Sequence, residues 1–244
     1  MRAMVLAAGL GTRLRPLTND RPKALIEVGG CTLLEITLTR LRSYGIREVI
    51  VNAHHLADTI VDYLKAKNSF GMRVEVSREE VLLDTGGGLK KAAWFFLEDS
   101  SRRDEPFILH NVDVLTNIDL RRMVQFHLDN HALATLAVQE RKTARDLFFD
   151  AQLQLCPREE PGSGKSEPST LRQPLSFCGI HVISPCLFDA MKEDRIFSII
   201  ATYLNLAGGG EKILAFRADE YYWRDVGKLE SLSQAEQEVS LFSN

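Results

Sequence analysis

Leu6-Ala7-Ala8-Gly9-Leu10-Gly11-Thr12-Arg13-Leu14-Arg15-Pro16, continued by Arg21-Pro22-Lys23, is the stretch that decides how the rest of the chain is read. It grows out of an apolar run, Ala3 to Ala8, that reads as a buried strand. A strand ending in glycines lets backbone N–H groups approach a phosphate closely. Arg13, Arg15, Arg21 and Lys23 follow close behind that turn. Packing alone gives no reason for Gly9 and Gly11 to flank so much positive charge, so the stretch is read as a polyphosphate cradle rather than a solvated loop with incidental arginines. The dinucleotide pattern G-x-G-x-x-G fails here, because Leu14 stands where close helix–strand contact needs the third glycine. The next strand ends in Asn52-Ala53-His54-His55, with no acidic residue placed for a ribose, which makes hydride transfer a weak rival.

Beyond this stretch, short β-branched runs alternate with amphipathic helical patterns, the signature of βαβ units and a parallel sheet. Leu34, Leu38 and Leu41 mark a helix that stops at Gly45, and Glu48 to Asn52 is the next strand. Leu56, Ile60, Tyr63 and Leu64 share a helical face, and Arg73 to Ser77 is a third strand. Gly86-Gly87-Gly88 feeds the N-terminus of a helix bearing Leu89, Ala92, Ala93 and Phe96. A fourth strand, Pro106 to Asn111, ends at Asp113. Asn117 is the expected N-cap of a helix with Leu120, Met123, Val124 and Leu128, before a strand at Leu133 to Gln139. From Cys156 to Pro174 the chain is crowded with Pro, Gly, Ser and charge, which predicts a mobile loop or partly disordered insertion. Within it, Gly162-Ser163-Gly164-Lys165-Ser166 is a poor P-loop, with Glu159 at the first glycine and no apolar strand before it. Strands resume at Phe177 to Ile183 and Lys212 to Phe216, and a final helix is expected from Lys228 to about Leu241.

The 244 residues, 45% hydrophobic and 26% charged, suffice for one large core and exclude a disordered tail. A formal charge of −3 leaves no overall basic field for a nucleic-acid backbone, so an anion must be met by a local cluster. The early apolar run is too short to span a bilayer and meets Arg13 and Arg15 at once, so neither a membrane span nor a signal peptide is expected. Cys31, Cys156, Cys178 and Cys186 show no C-x-x-C pairing and read as reduced thiols of a cytoplasmic protein. His127 and His131 have zinc-compatible i, i+4 spacing, but they extend the stripe of Leu120 and Val124 and lack a third ligand, so they are read as packed or surface residues.

The chain resembles the sugar-phosphate nucleotidyltransferases, or nucleotide-sugar pyrophosphorylases. The family opening, G-x-G-T-R-L-x-P-L-T followed by P-K-x-L, is matched by Gly9 through Thr18 and by Pro22-Lys23-Ala24-Leu25. Thr85-Gly86-Gly87-Gly88, Asn111-Val112-Asp113, Phe177-Cys178-Gly179-Ile180 and Trp223-Arg224-Asp225-Val226-Gly227 follow in family order. The short length is most similar to compact bacterial members acting on N-acetylmuramate, mannose or heptose 1-phosphates.

The resemblance implies an α/β, Rossmann-like fold with a mostly parallel central sheet, helices on both faces and a small β-rich sugar-binding part in the second half. It implies one domain, 1–244, with a nucleotide-binding half of about 1–116 and a sugar-binding half of about 117–244. By resemblance, Leu6, Ala7, Gly9, Gly11 and Thr12 line the nucleotide, Gly86 and Gly87 lie beside the base, and Gly179 lies beside the sugar. Arg13 faces the departing pyrophosphate, Lys23 reaches the reacting phosphates, and Asp113 and Asp225 hold Mg²⁺. The substrates implied are a nucleoside triphosphate, UTP or GTP, and a sugar 1-phosphate. Independently, Mg²⁺ favours one or two carboxylates completed by phosphate and water, and Asp113 ends a strand at the edge where open α/β sheets bind ligands. Val112 departs from the family, which commonly has Gly there, and its stiff side chain is expected to alter the fit beside Asp113. That departure favours the rival reading, a degenerate module that binds nucleotide sugars without turnover. Arg13, Lys23, Asp113 and Asp225, all present together, favour the enzyme.

Overall fold

The computed structural model describes residues 1–141, 146–157 and 172–242. The opening run forms β1 (Arg2–Leu6), ending short of the expected Ala8 because the chain leaves the sheet to begin the glycine turn. Two single 3₁₀ turns, Thr12–Leu14 and Lys23–Leu25, lead to a small hairpin of β2 (Glu27–Val28) and β3 (Cys31–Thr32). Helix α1 (Leu33–Ser43) starts where the Thr32 side chain accepts from the Glu35 N–H, and Gly45 turns the chain after its end at φ +83°. β4 (Glu48–Ala53), α2 (Ala57–Ala66) and β5 (Arg73–Arg78) follow, and α3 (Asp84–Lys91) and α4 (Ala93–Leu97) return the chain to β6 (Phe107–Asn111). The second half supplies β7 (Val114–Thr116), α5 (Leu120–Asp129), β8 (Ala134–Gln139), β9 (Asp146–Phe149) and β10 (Gln173–Ile183). It ends with α6 (Leu187–Ala190), α7 (Ile199–Gly208), β11 (Ile213–Arg217), β12 (Trp223–Asp225) and α8 (Leu229–Gln237).

Both halves build one sheet of eight strands, ordered β11-β8-β10-β6-β1-β4-β5, with β9 paired to β10. β6, β1, β4 and β5 are mutually parallel, as are β11 and β8, while β10 runs antiparallel to β6, β8 and β9. Alternate residues feed opposite faces: Val5, Val49, Val51 and Ile108 pack with Leu34, Leu38 and Leu41 of α1. Met4, Ile50 and Leu109 pack instead with Leu89, Phe95, Phe96 and Tyr203. Both faces are therefore covered, as a parallel sheet requires. From β1 the chain steps outward to β4 and β5, then crosses back to place β6 on the other side of β1. Such a reversal opens a crevice at the carboxyl ends of the strands, the usual ligand position in this architecture. Leu6 pairs with Asn111 at that point, and the Val112 N–H donates to the Leu6 carbonyl at 3.1 Å.

Other boundaries also differ from the sequence reading. Gly86, Gly87 and Gly88 lie inside α3 rather than ahead of it, because the helix already starts at Asp84. Asp119, not Asn117, caps α5, accepting from the N–H groups of Arg121 and Arg122; Asn117 instead accepts from the Tyr222 N–H at 2.8 Å. The last helix ends at Gln237 and continues only as a 3₁₀ turn, Val239–Leu241. Of the segment read as a mobile loop, residues 158–171, with the Gly162 to Ser166 motif, lie outside the described residues. Its two ends belong to the sheet: the Cys156 N–H donates to Phe148 O at 2.8 Å, and Gln173 and Pro174 pair with Phe149 and Phe148. Among the described residues no helix is long and apolar enough to cross a membrane.

Candidate active site at the sheet reversal

The glycine turn is held by its own backbone. Gly11 adopts φ +63°, and its carbonyl accepts from Leu14 N–H at 2.8 Å and Thr18 Oγ1 at 2.9 Å. A Cβ at Gly11 would stand 2.9 Å from Thr18 Cγ2 and 3.1 Å from Lys23 Cβ, so only glycine lets Lys23 fold back onto the turn. At Gly9 a Cβ would meet no protein atom within 4 Å, so the protein's own packing does not require glycine there. Leu14 is fully buried and anchors the turn, while its neighbours Thr12 and Arg13 stay at the surface. At the strand end, the Ala7 N–H donates to Asn52 Oδ1 at 2.7 Å.

Of the charged residues named from sequence, Lys23, Arg13, Asp113 and Asp225 meet at this crevice, whereas Arg21 is exposed and pairs with Glu27 at 3.4 Å. Lys23 Nζ pairs with Asp113 Oδ2, and both side chains are largely buried, 10% and 19% exposed. Asp225 comes to the same place through the β7–β12 ribbon: it pairs with Val114, and the Val226 N–H donates to the Asp113 carbonyl at 2.9 Å. The Asp225 carboxylate accepts from the Gly227 N–H at 2.6 Å. A Cβ at Gly227 would lie 2.6 Å from both Arg13 Nη2 and Asp225 Oδ1, so Arg13 and Asp225 border the same glycine. Val112 is 3% exposed and packs in the core, so its side chain is turned away from the crevice.

This donor set suits Mg²⁺. Asp113 and Asp225 bring two carboxylates, hard oxygen donors, to neighbouring backbone positions, and among the described residues no cluster of three or more His, Cys, Asp or Glu exists to cage a softer metal. A cation content with one or two carboxylates and completed by phosphate oxygens fits that chemistry. His127 is excluded as a ligand: it is buried, with Nδ1 at 3.0 Å from Thr135 Oγ1 and Nε2 at 2.9 Å from Ser184 Oγ.

Beside the carboxylates opens a cavity of about 950 Å³, with Asn111, Asp225, Gly179, Phe177, Trp223 and Arg141 in its wall. Gly179 sits at φ +77° where β10 bulges between Phe177 and His181. A Cβ on it would stand 2.8 Å from Val114 Cγ2 and 2.9 Å from Asn111 Nδ2, so glycine brings this wall up to β6 and β7 on either side of Asp113. Trp223 Nε1 donates to the Cys178 carbonyl at 2.7 Å, and the Arg141 guanidinium stacks 3.5 Å over the Trp223 ring while donating to Phe177 O at 3.1 Å. Arg141 escaped sequence reasoning, since a single arginine past a strand end carries no spacing signal. Gly86 and Gly87 are buried behind Phe197, with both N–H groups donating to its carbonyl at 2.9 and 3.2 Å. Side chains at these two glycines would run into the Phe197 ring and the Arg195 carbonyl, so their immediate role is close packing of α3 on the 195–199 segment.

The chain is 32% identical over 250 residues to the N-acetylmuramate alpha-1-phosphate uridylyltransferase of Caulobacter vibrioides, covering 96% of this chain and 95% of that protein. It is 28% identical to the UTP–glucose-1-phosphate uridylyltransferase of Synechocystis sp., spanning 62% of that longer protein. In fold it matches the inositol-1-phosphate CTP transferase from T. maritima with a TM-score of 0.75, covering 100% of this chain and 96% of that one at 17% identity. Residues 2–147 match the family model described as Nucleotidyl transferase, and the chain belongs to that family.

Proposed function

We propose that the protein joins a nucleoside triphosphate, UTP or GTP, to a sugar 1-phosphate, giving a nucleotide sugar and pyrophosphate. The observation that carries this reading is the Lys23–Asp113 pair at the sheet reversal, with Arg13 and Asp225 beside it at Gly227 and a large cavity adjoining. A sugar-phosphate oxygen attacks the α-phosphorus in line, and the bond to the pyrophosphate oxygen breaks. No general base is needed, because a phosphate monoester with a second pKa near 6 is already largely dianionic at neutral pH. Catalysis is then positioning of two polyanions and neutralisation of their charge. Leu6, Ala7, Gly9, Gly11 and Thr12 cradle the triphosphate, and Gly86 and Gly87 shape the base end. Lys23 bridges the nucleotide and incoming phosphate, and Arg13 offsets charge on the departing pyrophosphate. Mg²⁺ held by Asp113 and Asp225 would supply further neutralisation of the phosphates. Gly179 borders the sugar, whose half of the chain begins near residue 117.

The Caulobacter relative's name is that of an N-acetylmuramate α-1-phosphate uridylyltransferase, which points to UTP with that sugar phosphate here, and a cationic wall residue such as Arg141 suits the carboxylate of that sugar. This pair is the first to assay. We place the reaction in the cytoplasm, where triphosphates are available and the free thiols Cys31, Cys156, Cys178 and Cys186 stay reduced. The test is pyrophosphate release over a matrix of triphosphates and sugar 1-phosphates, with EDTA abolishing turnover and Mg²⁺ restoring it. Turnover confined to CTP with a non-sugar phosphoalcohol would reject the sugar assignment, and binding without any turnover would favour a non-catalytic module.

A further inference from the structure

The glycine turn is fastened from beneath by two buried polar side chains that the reaction scheme above does not use. Asn52, 2% exposed, lies at the carboxyl end of β4, directly beside Leu6 of β1. Glu79, 4% exposed, follows β5. The Ala7 N–H donates to Asn52 Oδ1 at 2.7 Å, Asn52 Nδ2 donates to Glu79 Oε1 at 2.7 Å, and Glu79 Oε2 accepts from the Leu83 N–H at 2.9 Å. Among the described residues no Lys, Arg or His side chain forms an ion pair with Glu79. A buried carboxylate without a cation is costly before its hydrogen bonds are counted, so an apolar pair would serve the core better.

The chain of donors leaves each side chain one identity. Asn52 must accept from Ala7 and donate to Glu79, which an amide does and a carboxylate does not. Glu79 must accept on both oxygens, which a carboxylate does and a glutamine does not. Gly88 supplies an independent observation: a Cβ there would stand 2.7 Å from Glu79 Oε1 and 2.8 Å from Asn52 Nδ2. The third glycine of the Gly86-Gly87-Gly88 run therefore clears room for this bond.

We propose that Asn52 and Glu79 are positioning residues for the triphosphate, a buried polar link that locks the phosphate turn at Ala7 to the segment leading into α3, so that both ends of the nucleotide site move as one body. The assignment rests on the function proposed above. It predicts a particular pattern of damage and repair. Asn52→Asp sets two carboxylates against each other; Glu79→Gln leaves one donor facing another or drops the Leu83 bond. The exchange of both, N52D/E79Q, reverses the central donor and acceptor while preserving shape and total charge: Asp accepts from Ala7 and from the glutamine amide, and the glutamine oxygen accepts from Leu83.

The experiment measures KM for the triphosphate and for the sugar 1-phosphate separately, with kcat and thermal midpoint, in wild type, both single variants, the double variant and Gly88→Ala. Each single variant and Gly88→Ala should raise the triphosphate KM about tenfold or more, the loss expected from one broken buried hydrogen bond. The sugar-phosphate KM should change much less, and the double variant should return the triphosphate KM to within about threefold of wild type. Single variants that lose thermal stability at unchanged triphosphate KM would make the pair merely structural and overturn the proposal. A double variant as impaired as the singles would overturn it too. A wild type with no turnover on any triphosphate would instead remove the functional reading itself, and the positioning role with it.

Discussion

Lys23 and Asp113 are 90 positions apart, and each leaves the other's charge partly buried and unpaired if removed. Lys23→Met and Asp113→Asn are each expected to lower kcat about a hundredfold or more, the scale of losing one preorganised charge at about 3 kcal/mol. Circular dichroism should stay native, because the pair sits at the strand ends outside the apolar core. A variant keeping half of wild-type pyrophosphate release would remove that residue from the machinery. Gly227→Ala probes the neighbouring pair without touching either charge: its methyl group would press on Arg13 Nη2 and Asp225 Oδ1, each at 2.6 Å. Turnover should fall about tenfold or more with little change in melting temperature, since Gly227 needs room rather than an unusual φ. These residues were legible in the sequence because phosphate chemistry demands cations and carboxylates beside glycines in a recognisable order. Asn52, Glu79 and Arg141 were not, since a lone polar residue at a strand end has no pattern until the fold supplies its partner.

Among the elements, β10 lines the cavity with Ser176, Phe177 and Gly179, and its bulge depends on Gly179. An alanine there must hold φ +77° and place Cβ 2.8 Å from Val114 Cγ2, so Gly179→Ala should cost about 1–3 kcal/mol in denaturant unfolding. By moving the wall it should also raise the KM for the sugar 1-phosphate more than that for the triphosphate. Equal effects on both would take Gly179 out of the sugar side. Long elements with an apolar period, such as α1 and β4, were readable from sequence to within a residue or two. β2, β3, β7 and β12, with two or three residues each, are too short to show a period. Gly86 to Gly88 misled for a physical reason: glycine in a helix interior costs about 1 kcal/mol relative to alanine, which normally marks a boundary. Here close contacts with Phe197, Arg195 and the Asn52–Glu79 bond offset that cost. α7 was missed although it carried its own signals, a Ser198 cap accepting from Ile200 N–H and glycines at its end.

For the whole molecule, the βαβ rhythm made the parallel strands β1, β4, β5 and β6 legible but not their order, and nothing local announces that β10 will enter antiparallel between β6 and β8. That insertion also buries histidines. His110 of β6 and His181 of β10 are each 1% exposed, as is His127 of α5. Burial pushes His110 and His127 down to about 4 and, with the nearby His110, His181 down to about 3. In the unfolded chain each returns to about 6.5. Between these values the unfolded chain binds protons that the folded one refuses, so their stabilising effect is full above about pH 6.5 and is lost as the pH falls, by up to about 1.4 kcal/mol per pH unit for each histidine. Carboxylates held below their usual range, such as Glu98 hydrogen-bonded to Arg73, act in the same direction but only in more acidic solution, below about pH 4.5. The interval from pH 7 to pH 5 therefore isolates the histidines. The urea midpoint should fall steeply across it, and His127→Gln, which keeps a polar side chain near Thr135 and Ser184, should flatten that slope by about one proton even if it lowers stability at pH 7. A midpoint constant from pH 7 to pH 5 would mean that these rings admit protons in the folded state, and that the seam between β6 and β10 is wetter than its packing implies.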